Sequence, residues 1–126
     1  MRYSFRMFFL ACLLSLNLAI AQQQVVANDV ERGEKLYSRR CGACHSIDVN
    51  RIGPKHRGLL GRTAGSLTDY DYSDALSHSS VVWTKETLNA WLENPQALIP
   101  GQKMGFRLKK EDERQDIIAY LVRLKD

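Results

Sequence analysis

The stretch Cys41-Gly42-Ala43-Cys44-His45 decides how this chain folds. Two thiols three positions apart on one helical turn can add to the two vinyl groups of a single porphyrin. The next residue, His45, then sits beneath the ring, with an imidazole able to bind iron. Cys-x-x-Cys-His is a haem-attachment signature for that reason. Two other uses of such a pair fit less well. A thioredoxin-like redox pair needs a strand–helix–strand setting, and no period-2 strands are evident. A structural zinc site needs four ligands, and there is no second cysteine pair.

On either side of this stretch the pattern is helical. Upstream, Asn28-Asp29-Val30-Glu31 reads as a helix start, with Asn28 as cap and Glu31 three residues on. That helix is expected to reach about Arg40, with Gly33 and Tyr37 one turn apart on one face. Downstream, the glycines and proline between Gly53 and Gly65 predict loop and turns. Thr84 can cap a second helix carrying Leu88, Trp91 and Leu92. It must end near Asn94, because Pro95 disfavours helix in the residue before it. Pro100-Gly101 is a turn. A last helix is predicted from about Lys110 to Leu124, with a stripe of Ile117, Tyr120, Leu121 and Leu124 widened by Ile118 and Val122. The expected fold class is all-α, with three main helices and long loops. The span from Ser46 to Val82 offers little apolar matter to pack beneath it. Long loops in a compact domain are usually functional or wrapped around something. One covalently bound haem would supply the missing core.

Composition agrees with a single small domain. The chain has 126 residues, 44% hydrophobic and 25% charged, which excludes a disordered, collagen-like or polytopic membrane protein. Arg2 and Arg6 precede an apolar run from Met7 to Ile20 that ends in Ala19-Ile20-Ala21, the small-x-small pattern of a signal peptide. Residues 1–21 are read as that signal, 22–28 as a flexible N-terminal segment and 29–126 as the folded domain. The run is short for a bilayer span, which needs about 20 apolar residues. The alternative is an uncleaved N-terminal membrane anchor. Lipidation of Cys12 fits poorly, since Phe9-Leu10-Ala11 is a weak match before it. Export would place the chain in the periplasm without stable membrane insertion. It would also remove Cys12, leaving Cys41 and Cys44. Losing Arg2 and Arg6 takes the formal charge from +4 to +2. So small and scattered a basic excess does not imply a nucleic-acid partner.

A second axial ligand can be sought by elimination. Met1 and Met7 would leave with the signal, so Met104 is the one methionine of the mature chain. It sits in a polar, glycine-flanked turn, a poor place for a core filler. A thioether is a soft donor, and His/Met ligation raises the reduction potential. His56 and His78, both in polar loops, are the rival ligands.

The chain resembles a class I c-type cytochrome, similar to mitochondrial cytochrome c and bacterial cytochrome c2. The resemblance runs from about Asp29 to Lys125. It rests on Gly33-x-x-x-Tyr37, Cys41 to His45, Gly53-Pro54, Gly58-Leu59-Leu60-Gly61-Arg62, Tyr72, Trp83, Leu92-Glu93-Asn94-Pro95, Pro100-Gly101-x-Lys103-Met104 and Ile118-Ala119-Tyr120-Leu121. It implies one haem c, covalent through Cys41 and Cys44, with His45 and Met104 on the iron. It further implies that the Pro54 carbonyl accepts the Nδ1 proton of His45, and that Arg62, Tyr72 and Trp83 bond a buried propionate. Phe106 would cover the haem edge. Gly33 would let the first and last helices cross closely, with Tyr37 and Tyr120 at the crossing. Three positions depart from the family's usual polar residues near the methionine: Leu76, Trp91 and Gln102. His56 stands where the family usually has an aliphatic residue.

With both axial positions filled by protein, the expected function is a monomeric periplasmic electron carrier and not an enzyme. Its partners would be redox proteins (an oxidase, reductase or dehydrogenase) docking at the haem edge. Arg40, Lys55, Lys103, Arg107, Lys109 and Lys110 could ring that edge and steer an acidic partner. The alternatives are a dedicated electron-accepting subunit of a periplasmic dehydrogenase, or a haem sensor or peroxidase-like protein with a displaceable methionine.

Overall fold

A computed structural model of the chain describes residues 29–125. The expected signal peptide, Cys12, the segment 22–28 and the Asn28 cap lie outside the described residues. Helix α1 covers 29–40. It is followed by α2 (Asp74–Ser77), α3 (Lys85–Glu93), α4 (Pro95–Leu98) and α5 (Glu111–Arg123). There is no strand among the described residues, only an isolated antiparallel bridge between Thr63 and Val82.

The long helices form where their sequence demands it. Thr84 caps α3 in a reciprocal box with Thr87, each side chain accepting from the other residue's backbone N–H. The helix ends at Asn94, before Pro95, and that proline then starts α4 at its first position, where no N–H is needed. Helix α5 carries Glu111, Asp112 and Glu113 in its first turn and Arg123 in its last, in the sense that opposes the helix dipole. Its buried face is centred on Ile117, Ile118 and Leu121. Tyr120, Val122 and Leu124, expected in the stripe, are only partly buried and pack against that centre.

Two charged residues of α5 are also buried, and each has a structural reason. Arg114 donates from Nε to Asn89 Oδ1 of α3 at 2.8 Å. Its Nη1 donates to the carbonyls of Leu108 and Lys109 at 3.0 and 2.8 Å. It therefore pins the segment that follows Met104 between α3 and α5. Asp116 receives Arg32 of α1 through two parallel bonds of 3.0 and 2.8 Å, the fork geometry that gives guanidinium–carboxylate pairs their directionality.

That pair lies beside a close approach of two helices. At Gly33 a Cβ would stand 1.9 Å from the carbonyl oxygen of Asp116. Only a residue without a side chain allows α1 and α5 to cross so tightly. Tyr37, one turn on, packs against Tyr120 with ring centroids 5.5 Å apart, as the resemblance implied. The core spreads from this crossing through Leu88, Trp91 and Leu92 of α3 to Leu59, Ala64, Trp83, Ile99 and Leu108 of the loops.

Gly33→Ala is expected to destabilise the folded protein by about 1–3 kcal/mol, the range for overpacking a close contact. Denaturant titration should show a lower midpoint with an unchanged slope.

Candidate functional site

The Cys41–His45 stretch continues α1 as a further turn. The Tyr37 carbonyl accepts from the N–H groups of both Cys41 and Gly42, at 2.8 and 3.1 Å. The Cys41 carbonyl accepts from Cys44 and His45 at 3.0 and 2.9 Å. Cys41 and Cys44 are free thiols, the first half-buried and the second exposed. Burial, with Cys44 alongside, pushes the Cys41 thiol up to about 11.

The chain then doubles back. Gly53 N–H donates to Cys44 O at 2.8 Å, His56 N–H to Ser46 O at 3.1 Å and Arg57 N–H to Ile47 O at 2.8 Å. Four residues that sequence reasoning missed clip this loop. Asn50 accepts from Lys55 N–H at 2.9 Å and donates to Asp69 O at 2.8 Å. Asp69 pairs with the Lys55 ammonium at 2.7 Å. The Tyr70 hydroxyl donates to Ile52 O at 2.5 Å, and Arg51 Nη1 to Gly42 O at 2.7 Å. The one available signal was Asn50 in a turn between two elements, a residue type suited to bonding nearby backbone.

The loop delivers the Pro54 carbonyl to His45 Nδ1 at 2.8 Å. A carbonyl only accepts, so Nδ1 carries the proton and the lone pair of the neutral ring is on Nε2. Burial lowers the pKa of His45, against the opposing pull of the Pro54 bond. Gly53 is required here: a Cβ would meet the ring at Cε1 at 2.1 Å. The face of the His45 ring is stacked by His56, with centroids 4.2 Å apart and planes at 23°. His56 Nδ1 in turn bonds the Tyr37 hydroxyl at 2.9 Å. Burial, with His45 and Arg62 nearby, pushes His56 down to about 3, so this ring is neutral. His78 lies elsewhere, exposed at the end of α2, where its Nδ1 donates to Asp74 O at 2.8 Å.

Arg62 lies near both Tyr72 and Trp83. Arg62 and Trp83 pair through Trp83 N–H to Arg62 O and Gly61 N–H to Trp83 O, both 2.9 Å. The Arg62 guanidinium donates to the carbonyls of Lys55 and Arg57 at 3.0 and 3.1 Å. Tyr72 is half-buried; burial raises its pKa and the Arg62 charge opposes the rise. Met104 and Phe106 are partly buried and pack against the core. Their segment is tied to the end of α3 by Leu108 N–H to Leu92 O at 2.7 Å and Arg107 Nε to Glu93 O at 3.2 Å. Gln102 uses its side-chain oxygen to accept from the Met104 N–H. Trp91 is buried edge-on against Trp83 at 5.3 Å, and Leu76 packs its apolar side chain against the core.

The donor set fits a haem c: two free thiols three residues apart, a half-buried imidazole with its Nε2 lone pair unused by the Pro54 bond, and a soft thioether on the core. The cytochrome c family model matches residues 30–125. The chain belongs to the cytochrome c family. It is 48% identical over 100 residues to cytochrome c 2.1 of Caenorhabditis elegans, covering 77% of this chain and 90% of that one. It is equally 48% identical over 101 residues to the cytochrome c of Euglena viridis, covering 78% of this chain and 99% of that one. Among solved structures it is similar to cytochrome cH from Methylobacterium extorquens, with a TM-score of 0.70 and 38% identity over 74% of this chain and 96% of that one. The class I fold expected from the sequence is therefore the fold of this cytochrome c. Like its relatives it is an electron carrier and not an enzyme, and it takes one covalently attached haem c. None of the described helices is long and apolar enough to cross a membrane.

The basic ring of this cytochrome c is partly spent on internal pairs. Arg40 lies 3.1 Å from Glu113, Lys110 3.5 Å from the same carboxylate, and Lys55 2.7 Å from Asp69. Lys103, Arg107 and Lys109 make no ion pair among the described residues, Arg107 bonding only a backbone carbonyl.

The Lys55 hydrogen bond holds the Asp69 carboxyl below its ordinary value of 3.8. The clip therefore contributes fully above pH 3.8 and is lost as pH falls from there through the lower folded value. Carboxyl NMR titration should place Asp69 below an ordinary aspartate, and Lys55→Met should bring it back up.

Proposed function

We propose that this cytochrome c carries single electrons between redox proteins in the periplasm, through a haem joined to Cys41 and Cys44 and ligated by His45 and Met104. The observation that carries this reading is the His45 imidazole. It follows the two thiols on one turn, and its proton is committed to Pro54, so that Nε2 is the donor atom. When bound, the haem supplies an iron that takes up and returns one electron.

The other roles follow from the chemistry of each side chain. The Pro54 carbonyl fixes the His45 tautomer and strengthens the ring as a donor. Met104 offers a thioether, which favours the reduced metal and raises the potential. Its rivals are committed elsewhere. His56 is stacked face to face on His45, and two rings so placed cannot stand on opposite sides of one iron. His78 stands exposed at the end of α2, whereas Met104 packs against the core. Arg62, Tyr72 and Trp83 supply a charged donor and two neutral ones to one propionate, which is what a carboxylate needs when taken out of water. Phe106, partly buried against the core, would cover the edge of the haem.

Partners would dock where the haem edge reaches the surface, over a small interface below about 1,200 Å². Lys103, Arg107 and Lys109 are the cations left for steering an acidic partner, so that steering is modest. Cleavage after Ala21 would release the chain from its membrane-inserted precursor.

Met104→Ala should abolish the near-infrared iron–thioether band of the ferric protein, lower the potential and admit cyanide or carbon monoxide rapidly. An unchanged optical signature would remove Met104 from the iron. Intact mass of the exported protein should equal residues 22–126 plus one haem, and retention of residues 1–21 would favour the membrane-anchored form.

A further inference from the structure

Three aromatic rings stand in series from α1 inward: Tyr37, His56 and His45, the imidazole assigned to the iron. Tyr37 is 6% exposed and held against Tyr120 at the helix crossing. Its hydroxyl bonds His56 Nδ1 at 2.9 Å, and its ring meets that of His56 edge-on at 71°. His56 lies nearly parallel to His45, 4.2 Å away. The backbone of His56 is fixed as well, donating to Ser46 O and accepting from Leu59 N–H, both at 3.1 Å.

The Pro54 bond and the stack constrain different motions of His45. A hydrogen bond at one edge of a ring sets the tautomer and the direction of that edge. It leaves the ring free to rock about the bond. A flat neighbour against the face removes that rocking. An aliphatic side chain at position 56 would fill the volume, but it has no plane to impose and no atom with which to bond Tyr37.

We propose that His56 is a positioning residue: anchored by the Tyr37 hydroxyl, its ring sets the plane in which the His45 imidazole meets the iron. That plane decides which of the metal's π-type orbitals the imidazole overlaps, and so the electronic asymmetry of the haem. The helix crossing at Gly33 is thereby connected to the metal through Tyr37 and His56. Orientation of a ligating histidine by its outer partners is a general means of tuning a metal. The inference rests on His45 being an axial ligand.

The test uses the ferric holoprotein. Electron paramagnetic resonance reads the g values, and proton NMR reads the spread and order of the haem-methyl shifts; both depend on the axial ring plane. His56→Leu should reorder the methyl shifts and move the largest g value. Tyr37→Phe, which keeps the ring and removes only the hydroxyl, should move both in the same direction by less. The double variant should move them no further than His56→Leu alone, because the two residues act through one contact. Unchanged spectra in both single variants, with stability lowered, would reduce His56 to packing and overturn the proposal. An effect of His56→Leu with none of Tyr37→Phe would overturn it too, since the hydroxyl would then hold nothing. Absence of a low-spin spectrum with a shifted His45 imidazole in the unsubstituted protein would overturn both the ligand assignment and the positioning.

Discussion

One N–H group organises the site. The Nδ1 proton of His45 goes to the carbonyl of Pro54, and nearly every feature of the chain from 46 to 57 serves to bring that carbonyl there. The doubled-back backbone, the Gly53 without a side chain, the Lys55–Asp69 pair and the Tyr70 hydroxyl on Ile52 all fix the same few atoms. The loop is short of apolar residues, so it cannot be held by burial. It is held by hydrogen bonds, most of them from side chain to backbone. A metal ligand needs such rigidity: a carrier that rearranged its donors at each electron transfer would work slowly.

The opposite half of the site is built on other physics. The segment bearing Met104 is attached to α3 and α5 through the buried Arg114 guanidinium and the Leu92 carbonyl. Here an unavoidable cost, burying a cation, is offset by three acceptors around it. The two halves thus depend on different elements. The His45 loop is an extension of α1, and the Met104 segment a strap across α3 and α5. The close crossing of α1 and α5 at Gly33 ties the two supports together.

Much of this was legible in the residues, and the gaps have physical causes. The three long helices could be read because their apolar positions recur at helical spacing and because Thr84 and Pro95 mark ends. Helices α2 and α4 could not, since four residues are too few to show a period. The stripe on α5 pointed at the right face but was drawn too far toward Tyr120 and Leu124. An apolar stripe counts no charged residue, so Arg114 and Asp116, whose charges anchor the helix, fall outside it. At the site, the thiols, His45, Pro54, Arg62 and Met104 stood out through fixed spacing and family resemblance. The clips at Asn50, Arg51, Asp69 and Tyr70 did not, since each joins residues remote in sequence or acts on the backbone, which leaves no pattern. His56 was noticed as an oddity, but nothing in one dimension says that it lies flat against His45.

The tight contact of Gly33 with Asp116 has a topological consequence. It joins residue 33 to residue 116, so the chain between them, cysteines, loops and strap included, forms a closed ring with no free end of its own. Loop-closure entropy grows only slowly with length, so one such knot restrains a long stretch at little extra cost. The converse is that its loss is not local. Parting those two helices opens the ring over its whole length and leaves the Met104 segment to its separate attachments on α3 and α5.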